Sequence, residues 1–169
     1  MAFQQKDLFE LTDNVFQNVG KDWLLIAAEK DGKVNAMTAS WGALGVLWHK
    51  NVAFVFIRKS RFTKEFVDAA DTFSLNFPDP ALYREAMTYF GRTSGRKEDK
   101  IAHTGFTVAH QGKTPYFEEA SKVLVCRKLS RTYLAPEDIA DVKVLSDCYP
   151  TNDYHYMYVG EITHCLVRE

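Results

Sequence analysis

Most of the chain consists of short apolar runs whose length and spacing are typical of β-strands. The clearest pair covers residues 22–30 and 33–41, separated by Asp31-Gly32. Asp-Gly between two such runs predicts a type I′ hairpin turn, because that turn needs positive φ at both central residues. The predicted strands are 22–30, 33–41, 51–57, 72–77, 106–110, 121–129 and 154–167. Gly160 interrupts the last strand and predicts a β-bulge or kink there.

Two longer segments show the periodicity of amphipathic helices instead. The first runs to roughly residue 70, with apolar side chains on one face and either Ser60 or Thr63 as the expected N-cap. The second starts with Asp79 as cap and Pro80 in the first helical position, and Gly91 is its expected stop. Short helices are also expected near residues 100–105 and 135–138.

The remaining segments read as loops: 42–51, 91–100 and 112–119, with 132–150 showing little pattern. Six or more strands with few short helices and mostly tight connections predict a mainly β protein, an antiparallel barrel that is closed or nearly closed. A doubly wound nucleotide-binding fold is disfavoured, because strands and helices do not alternate regularly and no GxGxxG follows a strand.

Composition narrows the function classes further. A chain of 169 residues fits one domain, predicted here as 1–169, and its net charge of −1 favours neither nucleic acid nor an anionic membrane as a partner. The sequence has neither a signal-peptide pattern nor an apolar run long enough to span a bilayer. The three widely spaced cysteines are expected to be reduced thiols of a cytoplasmic protein.

The strand predicted at 33–41 has unusually small side chains in its interior: Ala36, Ala39 and Ser40. A strand that gives up side-chain packing often does so because another group approaches its backbone. A flat ligand lying against this strand is one interpretation. A tightly packed crossing of two sheets is the alternative.

A cluster of basic and hydroxyl side chains lies where the first helix begins: Arg58, Lys59, Ser60, Arg61 and Thr63. The start of a helix offers free N–H groups and the positive end of the helix dipole, so phosphate binds there readily. Arginines add charge-assisted hydrogen bonds. The pattern predicts an anion site, and the alternative is a capped surface helix with solvated basic residues.

Taken in order, several motifs resemble those of the flavin reductase-like family, the split barrels that bind flavin mononucleotide (FMN) and include flavoredoxins. They are NAMTASWG from residue 35, RxSRxT from residue 58, TFSLNF from residue 72, FGRTSGRxxDK from residue 90, YFEEA from residue 116, LVCRKL from residue 124 and YHYMYVGEI from residue 154. The set covers nearly the whole chain. It implies a homodimeric six-stranded split β-barrel (Greek key) that holds FMN near the dimer interface.

The resemblance also implies which residues contact FMN. Along the ring it places Met37, Thr38, Ala39, Ser40 and Trp41, and at the phosphate Arg58, Ser60, Arg61 and Thr63. Asn76 and the loop residues Ser94, Gly95 and Arg96 are expected to reach the flavin. For Asn76 a local backbone hydrogen bond is the alternative, and for the loop a solvated turn.

His155 is a candidate to donate a hydrogen bond toward the flavin or nicotinamide, with a core histidine as the alternative. The histidines and cysteines form no metal-binding pattern, so no metal is expected. The implied activity is hydride transfer from NADH or NADPH to flavin and on to an acceptor. The alternatives are an electron-transfer flavoprotein reduced by a partner protein, and a barrel that only binds ligands.

Overall fold

The computed structural model describes residues 2–168, so residues 1 and 169 of the predicted domain lie outside the described part. The strands are β1 (Phe3–Gln5), β2 (Leu24–Lys30), β3 (Lys33–Ala39), β4 (Gly42–Leu47), β5 (Lys50–Arg58), β6 (Thr72–Pro78), β7 (Val108–Gln111), β8 (Thr114–Phe117), β9 (Ala120–Tyr133) and β10 (His155–Arg168). The α-helices are α1 (Phe62–Ala69), α2 (Pro80–Arg92), α3 (Lys100–Thr104) and α4 (Val142–Cys148). Short 3₁₀ helices cover Leu8–Glu10 and Pro136–Asp138, and a π-helix covers Gln17–Asp22.

One antiparallel sheet forms the body of the fold. Its strand order is β3-β2-β6-β9-β10-β5-β4, with β1 paired to β10, while β7 and β8 form a separate hairpin. This open path is that of a split barrel, so the mainly β antiparallel fold with a few helices is confirmed. The described residues form ten strands rather than six: eight belong to the main sheet, including the short β1, and two form the separate β7–β8 hairpin.

Two hairpins shape the part of the barrel where the ligand motifs lie. Asp31 and Gly32 have φ of 52° and 73° between β2 and β3, as the Asp-Gly turn predicted. The prediction of a loop over residues 42–51 is wrong: β4 occupies most of this segment and pairs with β5 from Gly42 to Leu47. Its turn residues Trp48 and His49 adopt positive φ without glycine, so the usual sequence signal of a tight hairpin is missing.

The helix boundaries agree with the prediction from sequence in one case and differ from it in others. Asp79 caps α2 by accepting from the N–H of Ala81, as expected, but the helix continues past Gly91 to Arg92. Helix α1 has Arg61 as N-cap with no side-chain cap, so neither Ser60 nor Thr63 caps it. Strand β8 lies in the segment 112–119, for which the sequence predicted a loop, and helix α4 lies in the segment 132–150, where the sequence showed little pattern.

The core has two main parts, one inside the barrel and one beneath α2. The interior part includes Ile26, Val55, Phe73, Leu124 and Tyr158, all nearly inaccessible to solvent. The second part packs α2 against the outer face of β2 and the β7–β8 hairpin; it comprises Leu25, Ala27, Ala36, Met87, Phe90, Phe106 and Phe117. Helix α2 is therefore fixed against the sheet, close to the end of β3.

Gly160 lies at an irregular position of β10, where the pairing with β9 shifts register between Val159 and Gly160. The irregularity predicted for the closing strand is therefore confirmed. None of the helices in residues 2–168 is long and apolar enough to cross a lipid bilayer.

Candidate functional site: a ring-sized cavity beside a cationic cavity

A cavity of about 230 Å³ opens where β3 ends and the chain turns into β4. The cavity is lined by residues that were predicted to contact the flavin ring or its phosphate, together with His155 and Phe56. The lining residues are Met37, Thr38, Ala39, Ser40, Trp41, Phe56, Arg58, Arg61 and His155. The Thr38 hydroxyl donates to the Met87 carbonyl, which ties the end of β3 to α2. The side chains of Ala39 and Ser40 in this wall are small, so a ligand there can approach the backbone.

An aromatic cluster closes one side of this cavity. The rings of Trp41 and His155 lie 4.9 Å apart, and the Arg58 guanidinium lies 5.8 Å from the Trp41 ring and 5.3 Å from the Tyr149 ring. The Tyr149 hydroxyl lies 2.8 Å from His155 Nδ1. Burial raises the pKa of Tyr149, so the phenol keeps its proton at physiological pH. We assign the phenol as the donor in this hydrogen bond, which places the imidazole proton on Nε2 and leaves that N–H available as a donor.

Burial, together with the neighbouring Arg58 charge, lowers the pKa of His155 to about 4. His155 is therefore neutral at physiological pH. A neutral imidazole can donate one hydrogen bond without adding positive charge to the cavity.

This pKa predicts a pH dependence of stability. The unfolded chain binds a proton at His155 near its ordinary pKa of about 6.5, whereas the folded chain does so only near 4, so the free energy of unfolding should fall as pH drops across that window. His155→Gln should lose less stability than the wild type between pH 6.5 and 4 in thermal melts. His164→Gln, on the same strand, is the control, and equal slopes for wild type and His155→Gln would contradict the assignment.

A second cavity, of about 200 Å³, lies at the start of α1. It is lined by Ser60, Arg61, Phe62, Thr63, Arg92, Thr93, Ser94, Gly95 and Lys100. Arg61 lines both cavities, so the two are neighbours across one side chain. A ligand with a flat ring at one end and an anion at the other could occupy both.

The second cavity holds a buried lysine and a half-buried arginine, and both donate to main-chain carbonyls. The Arg61 guanidinium donates to the Gly91 carbonyl at 2.7 Å, and the Lys100 ammonium donates to the Phe90 carbonyl at 3.1 Å. Burial, then repulsion from Arg61, lowers the pKa of Lys100 to about 8. Burial and Arg58 likewise lower the pKa of Arg61, against a smaller opposing effect of Asp153. Buried charges are usually paired, so this arrangement fits a bound anion such as a phosphate.

Thr63 and Gly95 complete this cationic cavity. The Asn35 amide donates to Thr63 Oγ1 at 2.7 Å, which leaves the hydroxyl hydrogen free to point at a ligand. A Cβ on Gly95 would lie 2.3 Å from Asn35 Oδ1 and 3.0 Å from the Phe62 ring. Glycine is therefore required for the loop to approach β3 and α1 this closely.

Two residues predicted at the phosphate have other partners in the structure. Arg58 donates to the carbonyls of Asp153 and Cys148, both at 3.0 Å. The Ser60 N–H and hydroxyl both donate to the Asp153 carboxylate. Arg58 lies in the wall of the ring-sized cavity and Ser60 in that of the cationic cavity, but their donors are directed at the 148–153 segment.

Asn76 lies outside both cavities, contrary to expectation. Its side chain is fully buried in β6, donates to the Leu25 carbonyl and Ser74 hydroxyl, and accepts from the Phe117 N–H. All of these partners lie in the protein core. The predicted alternative, a bond to backbone, describes Asn76 better, although β6 is a central strand and not an edge.

The loop residues divide between the two interpretations that the sequence left open. Ser94 and Gly95 line the cationic cavity. Arg96 is exposed; it lies over the Phe62 ring at 4.8 Å, pairs with Glu65 and donates to the Ser60 carbonyl. Arg96 therefore braces the loop against α1.

The sequence did not predict five residues that line the two cavities, Phe56, Phe62, Arg92, Thr93 and Lys100, or Tyr149, which contacts the cavity residues Arg58 and His155. Lys100 is the last residue of the motif FGRTSGRxxDK. The only feature of the sequence that could have pointed to Lys100 as a site residue was its position directly after Asp99, the N-cap of a short helix. Tyr149 lies in the segment with little pattern, so nothing local pointed to it. No group of three or more His, Cys, Asp or Glu side chains within residues 2–168 is placed to hold a metal ion.

The open antiparallel barrel, with its cavities at the end of β3, defines a protein of the flavin reductase-like split-barrel class. The chain belongs to this family: the sequence model described as "Flavin reductase like domain" matches residues 17–169. The resemblance carried by the motifs is thereby confirmed. A comparison with curated proteins gives no significant match.

Solved structures with the same fold include two flavoredoxins. That of Methanosarcina acetivorans is 25% identical over 95% of this chain and 76% of its own, with a TM-score of 0.70. That of Desulfovibrio vulgaris (Miyazaki F) is 21% identical over 98% and 78%, with a TM-score of 0.69. The flavin reductase PheA2 is 18% identical over 94% and 90%, with a TM-score of 0.64.

Proposed function

We propose that this protein binds FMN and acts as an oxidoreductase of the flavin reductase type, which moves hydride from NADH or NADPH to flavin and electrons on to an acceptor. The observation that carries the proposal is the adjacency of the two cavities across Arg61. One offers the end of a strand to a flat ring, and the other offers a buried lysine and a half-buried arginine to a phosphate. FMN has both chemical ends, and family membership makes it the first ligand to test.

The chain's own residues would hold the cofactor at both ends. Arg61, Lys100 and Thr63 are the donors for the phosphate, and the backbone from Thr38 to Trp41 borders the ring. When bound, FMN supplies a ring that accepts a hydride from a nicotinamide and passes electrons to an acceptor. The Nε2–H of His155 is a neutral donor at the edge of the ring-sized cavity, so His155 would orient a ligand there.

The test is a visible absorption spectrum of the purified protein after incubation with FMN and removal of free ligand. We expect a protein-bound flavin spectrum that bleaches when NADH or NADPH is added without oxygen. A protein that retains no FMN under these conditions would refute the proposal. The rates with the two nicotinamides at equal concentration also decide which one is preferred.

A second candidate function is that of an electron-transfer flavoprotein reduced by a partner protein. The likeness to the flavoredoxin of Methanosarcina acetivorans supports it. In that case bound FMN would be reduced by dithionite or a reducing protein, whereas NADH and NADPH would leave its absorbance unchanged over minutes. This outcome would keep FMN binding and replace the electron donor.

We further propose a homodimer in the cytoplasm. Three large apolar side chains on or beside β4 are exposed: Trp41 at 43%, Val46 at 71% and Trp48 at 57%. Val46 belongs to the edge strand β4 and Trp48 to its turn, and apolar patches of this kind often mark protein contacts. Cys126, Cys148 and Cys165 are free thiols, as suits a reducing compartment.

Light scattering after gel filtration tests the dimer. We expect twice the mass of the 169-residue chain for the wild type, and a monomer, or a concentration-dependent mixture, for the double variant Val46→Lys, Trp48→Lys. Leu82→Lys, which changes an exposed leucine on α2, is the control and should stay dimeric. A monomeric wild type at all concentrations would refute the proposal.

A further inference from the structure

We propose that Asp153 determines how tightly the flavin phosphate is held, because its carboxylate occupies the two donors that Ser60 could otherwise offer to an anion. This inference rests on the proposed function. Asp153 would weaken the binding of the phosphate, and this would keep the flavin exchangeable.

Ser60 cannot donate the same hydrogens to Asp153 and to a phosphate at once. The Ser60 N–H donates to Asp153 Oδ1 at 3.1 Å, and the Ser60 hydroxyl donates to Oδ2. Each of these groups has a single hydrogen to donate. While Asp153 holds both, Ser60 can line the cationic cavity but cannot donate to a phosphate inside it.

The carboxylate is held in place by bonds that do not involve Ser60. Arg58 donates to the Asp153 and Cys148 carbonyls, which fixes both ends of the 148–153 segment. The Lys59 N–H donates to the Tyr154 carbonyl at 3.1 Å, which extends the β5–β10 pairing to the residue after Asp153. The segment would therefore keep its place if the charge on Asp153 were removed.

The sign of the effect follows from charge. The Asp153 carboxylate acts on Arg61 strongly enough to oppose part of the lowering of its pKa, so it lies within electrostatic range of the cationic cavity. A phosphate dianion in that cavity would be repelled by it and would also lack the Ser60 donors. Every 1.4 kcal/mol of repulsion between two like charges lowers affinity by about tenfold.

Asp153→Asn tests this, because asparagine keeps an oxygen that can accept from Ser60 but removes the charge. We expect FMN to bind about ten- to thirtyfold more tightly, chiefly through slower release, as measured by flavin fluorescence and stopped-flow displacement. Riboflavin, which lacks the phosphate, should bind with unchanged affinity. Asp138→Asn removes the same charge from an exposed site and should leave both affinities as in the wild type.

A double-mutant cycle with Ser60→Ala provides the second measurement. In the wild-type background, Ser60→Ala should change FMN affinity less than about twofold, because the hydroxyl that it removes is already bonded to Asp153. In the Asp153→Asn background, where the phosphate can compete for that hydroxyl, it should weaken FMN binding by about tenfold.

Three results would overturn the inference: unchanged or weaker FMN binding by Asp153→Asn, an equal gain for riboflavin, or an effect of Ser60→Ala that does not depend on residue 153. All three require a wild type that binds FMN. A wild type that binds none refutes the proposed function itself, so the two failures are distinguishable.

Discussion

Lys100→Met is expected to weaken FMN binding by about ten- to hundredfold while leaving the fold at least as stable as the wild type. A hydrogen bond to a charged group contributes roughly 1.5–3 kcal/mol, and every 1.4 kcal/mol is about tenfold in affinity. Lys100 is 4% exposed and lines the cationic cavity. Its removal should therefore be felt at the phosphate and hardly at the ring.

Lys100→Met should weaken FMN binding without lowering stability, because the buried charge of Lys100 is itself costly to the folded protein. Burial and the nearby Arg61 charge lower the pKa of Lys100 to about 8, so the folded protein holds this cation against both desolvation and repulsion. The Phe90 carbonyl is the hydrogen-bond acceptor that offsets this cost. Methionine fills a similar volume without charge, and such replacements of buried charges are often neutral or stabilising.

Fluorescence titration with FMN and riboflavin, alongside thermal melts without ligand, checks both halves. Lys97→Met is the matched control, since Lys97 lies in the loop just before α3 but is exposed. It should change neither quantity appreciably. Equal losses of FMN and riboflavin affinity in Lys100→Met would mean that the phosphate lies elsewhere, and a large fall in melting temperature would mean that Lys100 is chiefly structural.

The fold was predictable where local chemistry dictates the chain path. Asp31-Gly32 produced the expected turn because its backbone angles suit few other residues, and Asp79-Pro80 started α2 because both residues favour a helix N-terminus. Strand β4 was missed for the converse reason. Its turn uses Trp48 and His49 at positive φ, which only tertiary pairing with β5 stabilises.

The candidate site shows the same limit at the level of single side chains. The sequence singled out residues 37–41, Arg61 and Thr63, and the structure gathers them at two adjacent cavities, because they lie on or beside β3 and α1, two elements whose existence the sequence predicted. The sequence could not indicate that the carboxylate of Asp153, which is distant from Ser60 along the chain, would accept from both donors of Ser60. The sequence also could not show that the Asn76 side chain points into the core, since the motif TFSLNF does not indicate which face of the strand is buried.

Gly160→Ala is expected to destabilise the protein strongly, although the substitution adds only one methyl group. A Cβ at this position of β10 would lie 2.6 Å from Phe73 Cζ and 2.8 Å from Cys126 Cβ, both fully buried. Overpacking a core in this way costs roughly 1–3 kcal/mol. At about 2–4 °C per kcal/mol for a domain of this size, the melting temperature should fall by several degrees.

Gly20→Ala is the matched control, because a Cβ there would have nothing within 4 Å and should leave the melting temperature nearly unchanged. A second variant identifies the cause. Phe73→Leu shortens the side chain that the new methyl meets, so the Gly160→Ala, Phe73→Leu double variant should be less destabilised than the sum of the two single variants. Strict additivity would show that Gly160 is needed for the backbone irregularity between Val159 and Gly160 and not for its close contact with Phe73.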